Sequence, residues 1–307
     1  MRRLIGALAG LAALAVLAGF GGRWLPQLDL VAAFRPHLAV LAGALGLVAV
    51  AARQWRPAGL AAGVALVAAS SLGPALEPAE RAGEGRLVTV LYGNVRDDNP
   101  ETAALAASLL AQQADVLVTS ETPAALVAQL AGHYPHRAVA QQPGRTARTA
   151  IWSRLPLRQG RLHMNNNITP TGASAVLDLG GGREAGLIGV HFSRATEAVQ
   201  PRQIDGLGEI AAGLPRPLVV IGDFNAVPWS ATLARAARLT GTRIAGGWRI
   251  TWRGSYPTPL GPLPEPWGHQ IDRLLVSDGV GIAAIETVAL PGSDHAGLLV
   301  RLRLPAP

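Results

Sequence analysis

The sequence predicts an α/β domain with mixed sheets, preceded by three membrane-spanning helices, and three observations lead there. Three uncharged apolar runs fill the first quarter of the chain. Beyond Gly85 the composition becomes that of an ordinary globular domain, in which apolar strands alternate with helical stretches. The later strands come in closely spaced, hairpin-like pairs, which argues for mixed sheets over one purely parallel sheet.

The apolar runs come first in the chain. Leu4 to Gly22 holds no charge over about 19 residues, long enough to cross a hydrocarbon core of roughly 30 Å as a helix. A cleavable signal peptide is the alternative, but two further apolar runs follow and no small-residue cleavage site stands out before Arg23. Leu38 to Ala52 is shorter, about 15 residues, and a buried or re-entrant segment competes with a span there; Pro57 to Leu76 has ordinary span length. The expected organisation is a membrane anchor over 1–76 with helices at about 4–22, 38–52 and 57–76, a polar linker over 77–86, and a catalytic domain over 87–307.

Arginine placement sets the expected orientation. Arg2, Arg3, Arg53 and Arg56 fall on one side of the three runs, Arg23 and Arg35 on the other, so the first side is cytoplasmic and the domain after Leu76 extracytoplasmic. Trp24 and Trp55 sit beside helix ends, where an indole prefers the interface. The runs hold no internal charge of the kind that marks an ion path, which argues against a transporter.

The net charge of +7 divides almost evenly. Six arginines against two acids leave +4 up to Glu77, and 21 against 18 leave +3 beyond it, so nucleic-acid binding draws little support from charge. Every basic residue is arginine, and there is no cysteine, which excludes disulfides and thiolate metal sites.

Within the domain, Leu87 to Tyr92 reads as a strand ending near Asn94. Asn99, Pro100 and Glu101 read as a helix start before Ala103 to Gln113. Val116 to Thr119 is the next strand, and Thr122-Pro123 opens another helix. Strands follow near Thr149 to Ser153, Ala173 to Leu179 and Ala185 to His191, then a helix over Arg202 to Ala212. Leu218 to Ile221 is an apolar strand suited to burial on both faces; Gly222 permits a tight exit and close approach of a ligand, and Asp223 and Asn225 stand at its end. A helix through Thr232 to Arg238, a Pro/Gly-rich loop from Arg253 to Gly268, and strands at Ile271 to Val276, Ile282 to Leu290 and Leu298 to Leu304 complete the pattern.

Polar groups recur where these strands stop or start: Asn94, Glu121, His191, Asp223 with Asn225, Asp272, and Asp294 with His295. Each alone has an ordinary structural explanation, Asp223 and Asn225 as a turn, Glu121 as an acid at a helix start. Together they suit phosphate-ester hydrolysis, which needs a hard divalent cation, an activated water and a phosphate clamp. Carboxylate and amide oxygens match Mg2+ or Mn2+, whereas zinc would call for clustered histidine or cysteine.

Asn94 in Leu-Tyr-Gly-Asn-Val, Glu121 in Asp-Val-Leu-Val-Thr-Ser-Glu, Ser153-Arg154, His191 in Gly-Val-His-Phe, Gly-Asp-Phe-Asn at 222–225, Ile271-Asp272 and Ser293-Asp294-His295 resemble, in order, the motifs of the endonuclease/exonuclease/phosphatase superfamily. The resemblance implies a four-layered α/β sandwich with two mixed sheets. It implies Glu121 as main metal ligand, with Asn94 and Asp294 as further or water-mediated ligands. Asp223 would orient or deprotonate the attacking water, Asn225 and His191 would hold the phosphate, and Asp272 would fix the tautomer of His295, itself base or phosphate ligand. The chain departs from many nucleases of the superfamily at Arg96, where they carry an acid or amide. None of Tyr92, Tyr134 and Tyr256 matches the phosphate-binding tyrosine of some relatives, and Trp229 is expected in the core.

The expected function is a membrane-anchored extracytoplasmic phosphodiesterase or phosphatase acting on a phospholipid, a soluble phosphate ester or nucleic acid. An inactive membrane-tethered binding module on the same fold is the alternative. Oligomeric state is not legible in the pattern.

Overall fold

The computed structural model describes residues 2–139, 147–165, 169–254 and 268–304. The Pro/Gly-rich stretch between 255 and 267, with Tyr256, lies outside the described residues.

The chain begins with α1 (Arg2–Gly19), two single 3-10 turns, a short α2 (Asp29–Ala32), then α3 (Arg35–Ala51), α4 (Trp55–Ser70) and a one-turn α5 (Gly73–Leu76). The packing makes α1, α3 and α4 an up-down-up bundle. Ile5 near the start of α1 meets Ala49 near the end of α3 and Ala58 near the start of α4. Ala12, Val16, Ala42, Val64 and Ala68 fill the middle. Small residues dominate these seams and let the backbones approach closely.

The three-span expectation is corrected here. Among the described residues only Arg3–Arg23 is by itself long and apolar enough to cross a membrane, or two spans if Pro26–Ala32 and Arg35–Ala51, bent by 50°, count as one. The run from Pro57 to Leu76 is not a continuous helix: α4 ends at Ser70, and Gly73-Pro74 restarts the chain as α5. Proline cannot accept the continuing helix without losing a hydrogen bond.

The expected linker is not free either. Ala79 is buried in the core between the sheets, and Arg81 pairs through its backbone with Ile282.

The remaining elements are β1 (Arg86–Asn94), α6 (Thr102–Ala111), β2 (Val116–Thr122), α7 (Ala124–Leu130), β3 (His136–Val139), β4 (Ala147–Ser153), β5 (Leu157–Asn165), β6 (Thr169–Gly180), β7 (Arg183–His191), α8 (Gln200–Ala212), β8 (Leu218–Asp223), α9 (Ala231–Thr240), β9 (Arg243–Ile244), β10 (Asp272–Val276), β11 (Gly281–Ala289) and β12 (Ala296–Leu304). Asn99 does not cap α6 as expected. Its side chain accepts the Glu101 N–H and donates to the Val95 and Pro291 carbonyls, a local turn, and the helix starts later.

Two six-stranded sheets form, in the orders β11-β12-β1-β2-β4-β3 and β5-β6-β7-β8-β10-β9. Both are mixed: β1 with β2 and β7 with β8 run parallel, and the other pairs run antiparallel. The period of two in each strand builds four layers. Val88, Val90 and Tyr92 of β1 face Leu187, Val219 and Ile221 of the other sheet across the central core. Leu91 and Leu117 point outward onto α6 and α7, with Leu105, Leu109 and Leu126. Leu218 and Val220 point outward onto α8 and α9, with Ile204, Leu207 and Leu233.

The helical bundle docks on this sandwich through the elbow between α1 and α3. The Asp29 carboxylate accepts the backbone N–H groups of Ala231 and Thr232 at 3.1 and 2.7 Å, capping α9 from some 200 residues away. An acid at a helix N-terminus satisfies donors that the helix itself leaves unpaired. Trp229 donates to the Ala32 carbonyl at 2.7 Å, and Arg35 reaches the Trp229 and Gly19 carbonyls. Trp229 is therefore buried, but in the seam between bundle and sandwich, where it also stacks on Trp248.

Candidate active site

Strand register assembles the site. In the parallel β7–β8 ladder His191 lies beside Asp223, and in the antiparallel β8–β10 ladder Asp223 lies beside Asp272. One sheet thus places three of the expected residues on neighbouring strands. The other sheet contributes Asn94 at the end of β1, Glu121 in β2, and the turn before β12 that carries Asp294 and His295. The two ends meet over the central core.

Gly222 is required by this ladder. A Cβ there would collide with the Val190 carbonyl oxygen of β7, so the close approach is by the neighbouring strand and not by a ligand as the sequence suggested. Glu121 and Asn225 adopt φ of 54° and 47°, a left-handed conformation that costs about 1 to 3 kcal/mol for a residue other than glycine and recurs at functional sites.

The polar contacts are continuous. The Asn94 amide donates to Glu121 Oε1 at 3.1 Å and to Asp223 Oδ2 at 3.3 Å. His191 Nε2 stands 3.3 Å from Glu121 Oε1 and 3.8 Å from Asp223 Oδ2. Asp223 Oδ1 accepts the Asn225 N–H at 2.8 Å, while the Asn225 amide donates to the Phe192 carbonyl at 2.7 Å. His295 Nδ1 bonds Asp272 Oδ2 at 2.8 Å and turns Nε2 to within 4.0 Å of Asp223 Oδ2. Ser293 ties this turn to β1: its hydroxyl donates to the Asn94 carbonyl and accepts the His295 N–H.

Burial and charge act together here. Burial first, and then the Asp272 carboxylate, push Asp223 up to about 7, against the opposing pull of His295, the Asn225 N–H and Asn94. Burial works against a charge on His295, but Asp272, its hydrogen bond, Asp223 and Asp294 outweigh it and hold the imidazole up at about 9. His295 is thus an imidazolium at neutral pH, with its charge carried to Nε2 beside Asp223.

These groups line a cavity of about 1000 Å³, into which Asn94, Glu121, His191, Asp223, Asn225, Asp294 and His295 all open. Asp272 does not line it. It sits fully buried behind His295, with Oδ1 lacking a hydrogen-bond partner. Sequence reasoning missed Trp252, whose indole donates to Asp294 Oδ2 at 2.9 Å, and Thr251, whose hydroxyl accepts the Asp272 N–H. Both lie ahead of the Pro/Gly-rich stretch, outside any motif of metal-ligating residues. Of the three tyrosines, Tyr92 and Tyr134 are buried in the cores and do not line the cavity.

Two sets of side chains could hold a cation. Asp223, Asp272 and His295 offer one atom each, all within 4.8 Å of one another. In that set, however, His295 Nδ1 and Asp272 Oδ2 already bond each other, which leaves Asp272 Oδ1 as the oxygen without a hydrogen-bond partner. Glu121, Asn94 and Asp294 offer oxygens around the cavity. An oxygen-dominated donor set without cysteine fits a hard divalent ion.

The family model of the Endonuclease/Exonuclease/phosphatase family matches residues 86–295. The chain belongs to this family. Members of it are hydrolases acting on phosphoester bonds. The chain is similar in structure to sphingomyelinase C from Streptomyces griseocarneus, with a TM-score of 0.53, 18% identity and coverage of 70% of this chain and 99% of that one. It is also similar to D. rerio TDP2 complexed with single strand DNA product, at TM-score 0.56, 17% identity and coverage of 71% and 99%. An endonuclease/exonuclease/phosphatase from Bacteroides vulgatus aligns at TM-score 0.56, 18% identity and coverage of 71% and 99%. Identities this low show a shared fold. A comparison with curated proteins finds no match.

Proposed function

We propose that the chain is a membrane-anchored, metal-dependent phosphodiesterase with its catalytic domain on the extracytoplasmic side. The observation that carries the reading is the convergence, in one cavity, of Asp223 near neutrality with a His295 imidazolium held by Asp272. A general base works best when its pKa lies near the working pH. Asp223 takes the proton from an attacking water; the new bond forms from water oxygen to phosphorus as the bond from phosphorus to the leaving oxygen breaks, and the leaving oxygen keeps the electron pair and takes a proton from solvent in the cavity. His295 Nε2 offers a fixed positive charge and an N–H to the phosphoryl oxygens, a role of phosphate ligand that its protonation favours over that of base. His191 and the second N–H of the Asn225 amide complete the clamp. Asp272 acts through His295, as a positioning residue.

Glu121 and Asn94, with Asp294 as a further ligand, would hold Mg2+ or Mn2+, which supplies Lewis-acid polarisation of a phosphoryl oxygen when bound.

Support for the anchor comes from the bundle's surface. Leu4, Leu11, Leu14, Leu17, Leu47 and Leu66 are exposed, a hydrocarbon surface with no partner among the described residues. Arg3, Arg53 and Arg56 belong to the end of the bundle away from the sandwich, the cytoplasmic end by the positive-inside rule.

Hydrolysis of bis(p-nitrophenyl) phosphate, a lipid phosphodiester and a DNA oligonucleotide by the purified full chain, with Mg2+, Mn2+ or chelator, tests the activity. Turnover of the generic diester that chelator abolishes and metal restores is expected; equal rates in all three conditions would overturn the metal dependence, and no turnover the enzyme. A reporter active only in the cytoplasm, fused after Leu304, is expected to stay silent; a signal from it would overturn the orientation.

A further inference from the structure

The elbow between α1 and α3 contributes apolar side chains to the lining of the cavity that holds the candidate site. Leu30, Ala33 and Phe34 line it, with Asp29 of the same elbow and with Ala226, Val227 and Ile271, in the same cavity as the site's carboxylates and histidines. Leu30 and Phe34 remain 48% and 44% exposed, so their apolar faces are open to the cavity mouth. Leu14 and Leu17 of α1, and Trp24 and Leu25 ahead of the elbow, are exposed as well.

The elbow is held firmly in this place. Asp29 caps α9, Ala32 packs with Leu72, Ala75, Val227 and Trp229, and Phe34 meets the His269 ring edge-on at 5.1 Å. His269 in turn stacks on Trp252, whose indole holds Asp294. Burial, then the nearby His37, lowers His269 to about 4, so this bridge is uncharged at neutral pH.

From this geometry we infer that the elbow is the specificity wall of the site, and that the substrate is an amphiphile: a phosphodiester head at Asp223 and His295, with hydrocarbon chains lying over Leu30 and Phe34 and continuing into the bilayer. The inference rests on the phosphodiesterase reading above. A lipid phosphodiester fits this wall better than nucleic acid does. A polyanion needs a basic track, and beyond Glu77 the chain carries only +3. Apolar side chains in the cavity lining, on the elbow that joins helices with exposed leucines, give alkyl chains a surface to bury against.

The test compares dihexyl phosphate with dimethyl phosphate as ligands of the full chain in detergent, by competition against bis(p-nitrophenyl) phosphate turnover and by calorimetry. Partitioning into detergent is the same for every variant and cancels between them. Wild type is expected to bind dihexyl phosphate tighter by about tenfold or more, as roughly two buried methylenes would give. Phe34→Asn and Leu30→Asn should erase that preference and leave dimethyl phosphate binding unchanged, while Phe34→Leu should keep it. Equal affinity of wild type for the two phosphates, or a preference that survives both asparagine variants, would overturn the inference. So would cleavage of a single-stranded oligonucleotide at a higher kcat/KM than that of a long-chain phosphodiester in the same micelles. The calorimetric arm separates the two claims: a chain-length preference without turnover of any diester would leave the elbow's role standing and overturn the hydrolase.

Discussion

Asp223 and Asp272 lie side by side in the antiparallel ladder of β8 and β10, both buried, and only one of them opens to the cavity. Asp272 spends its charge on His295, 2.8 Å away. Asp223 is left beside that charge in a place water reaches only from the cavity. In the proposed mechanism the pairing divides two carboxylates into a positioning group and a base.

Removal of the positioning carboxylate should therefore show in the pH profile. In Asp272→Asn the imidazole of His295 loses the charge that outweighs its burial, so the basic limb of kcat/KM should move to lower pH than in the wild type. A fall in rate of about a hundredfold should accompany it. A basic limb unmoved by the substitution would contradict the imidazolium role.

Stability of the metal-free protein should fall as pH rises. His295 is raised from its ordinary 6.5 to about 9, so its contribution is complete below pH 6.5 and is lost as pH climbs through 9. Asp223 is raised from 3.8 to about 7, so the folded form also holds a proton the unfolded form has released, and stability declines through that range too. Melting curves in chelator are expected to show Tm descending from pH 5 to pH 9, with the upper part flattened in His295→Gln. Mg2+ or Mn2+ at pH 8 should raise Tm, since a cation that binds only the folded form stabilises it. A Tm level across the range would contradict the assignment.

Gly222→Ala tests how the sheet positions the chemistry. The added methyl group meets the Val190 carbonyl, and relief requires β8 to shift from β7, separating Asp223 from His191. A loss of about 1 to 3 kcal/mol in unfolding free energy is expected, with activity reduced more than the folded fraction. Wild-type stability and rate in this variant would show that the strands do not press together there.

The central strands were legible in the sequence because β1, β2, β8 and β10 are buried on both faces and read as apolar runs. The strands β3, β5 and β9 were not. They lie at or near sheet edges, and β5, with arginines at 158 and 161 and irregular pairing on either side, carries no pattern a strand would impose. The residues of the site were legible as an ordered set of strand-end groups, yet their partnership is a matter of register. His191, Asp223 and Asp272 become neighbours only through ladders between β7, β8 and β10. The elbow was invisible, since nothing local to Asp29 or Phe34 announces partners at Thr232 and His269. Span length was misjudged because hydropathy alone does not register the break at Ser70 and Gly73-Pro74.

The most direct measurement is the rate of bis(p-nitrophenyl) phosphate hydrolysis at pH 8 with Mg2+ or Mn2+ by the wild type, Asp223→Ala and His295→Ala, each confirmed folded by its melting curve. A metal-dependent wild-type rate, reduced by about a thousandfold in each variant, is the predicted result. Wild type and both variants turning over alike with every metal would contradict the account.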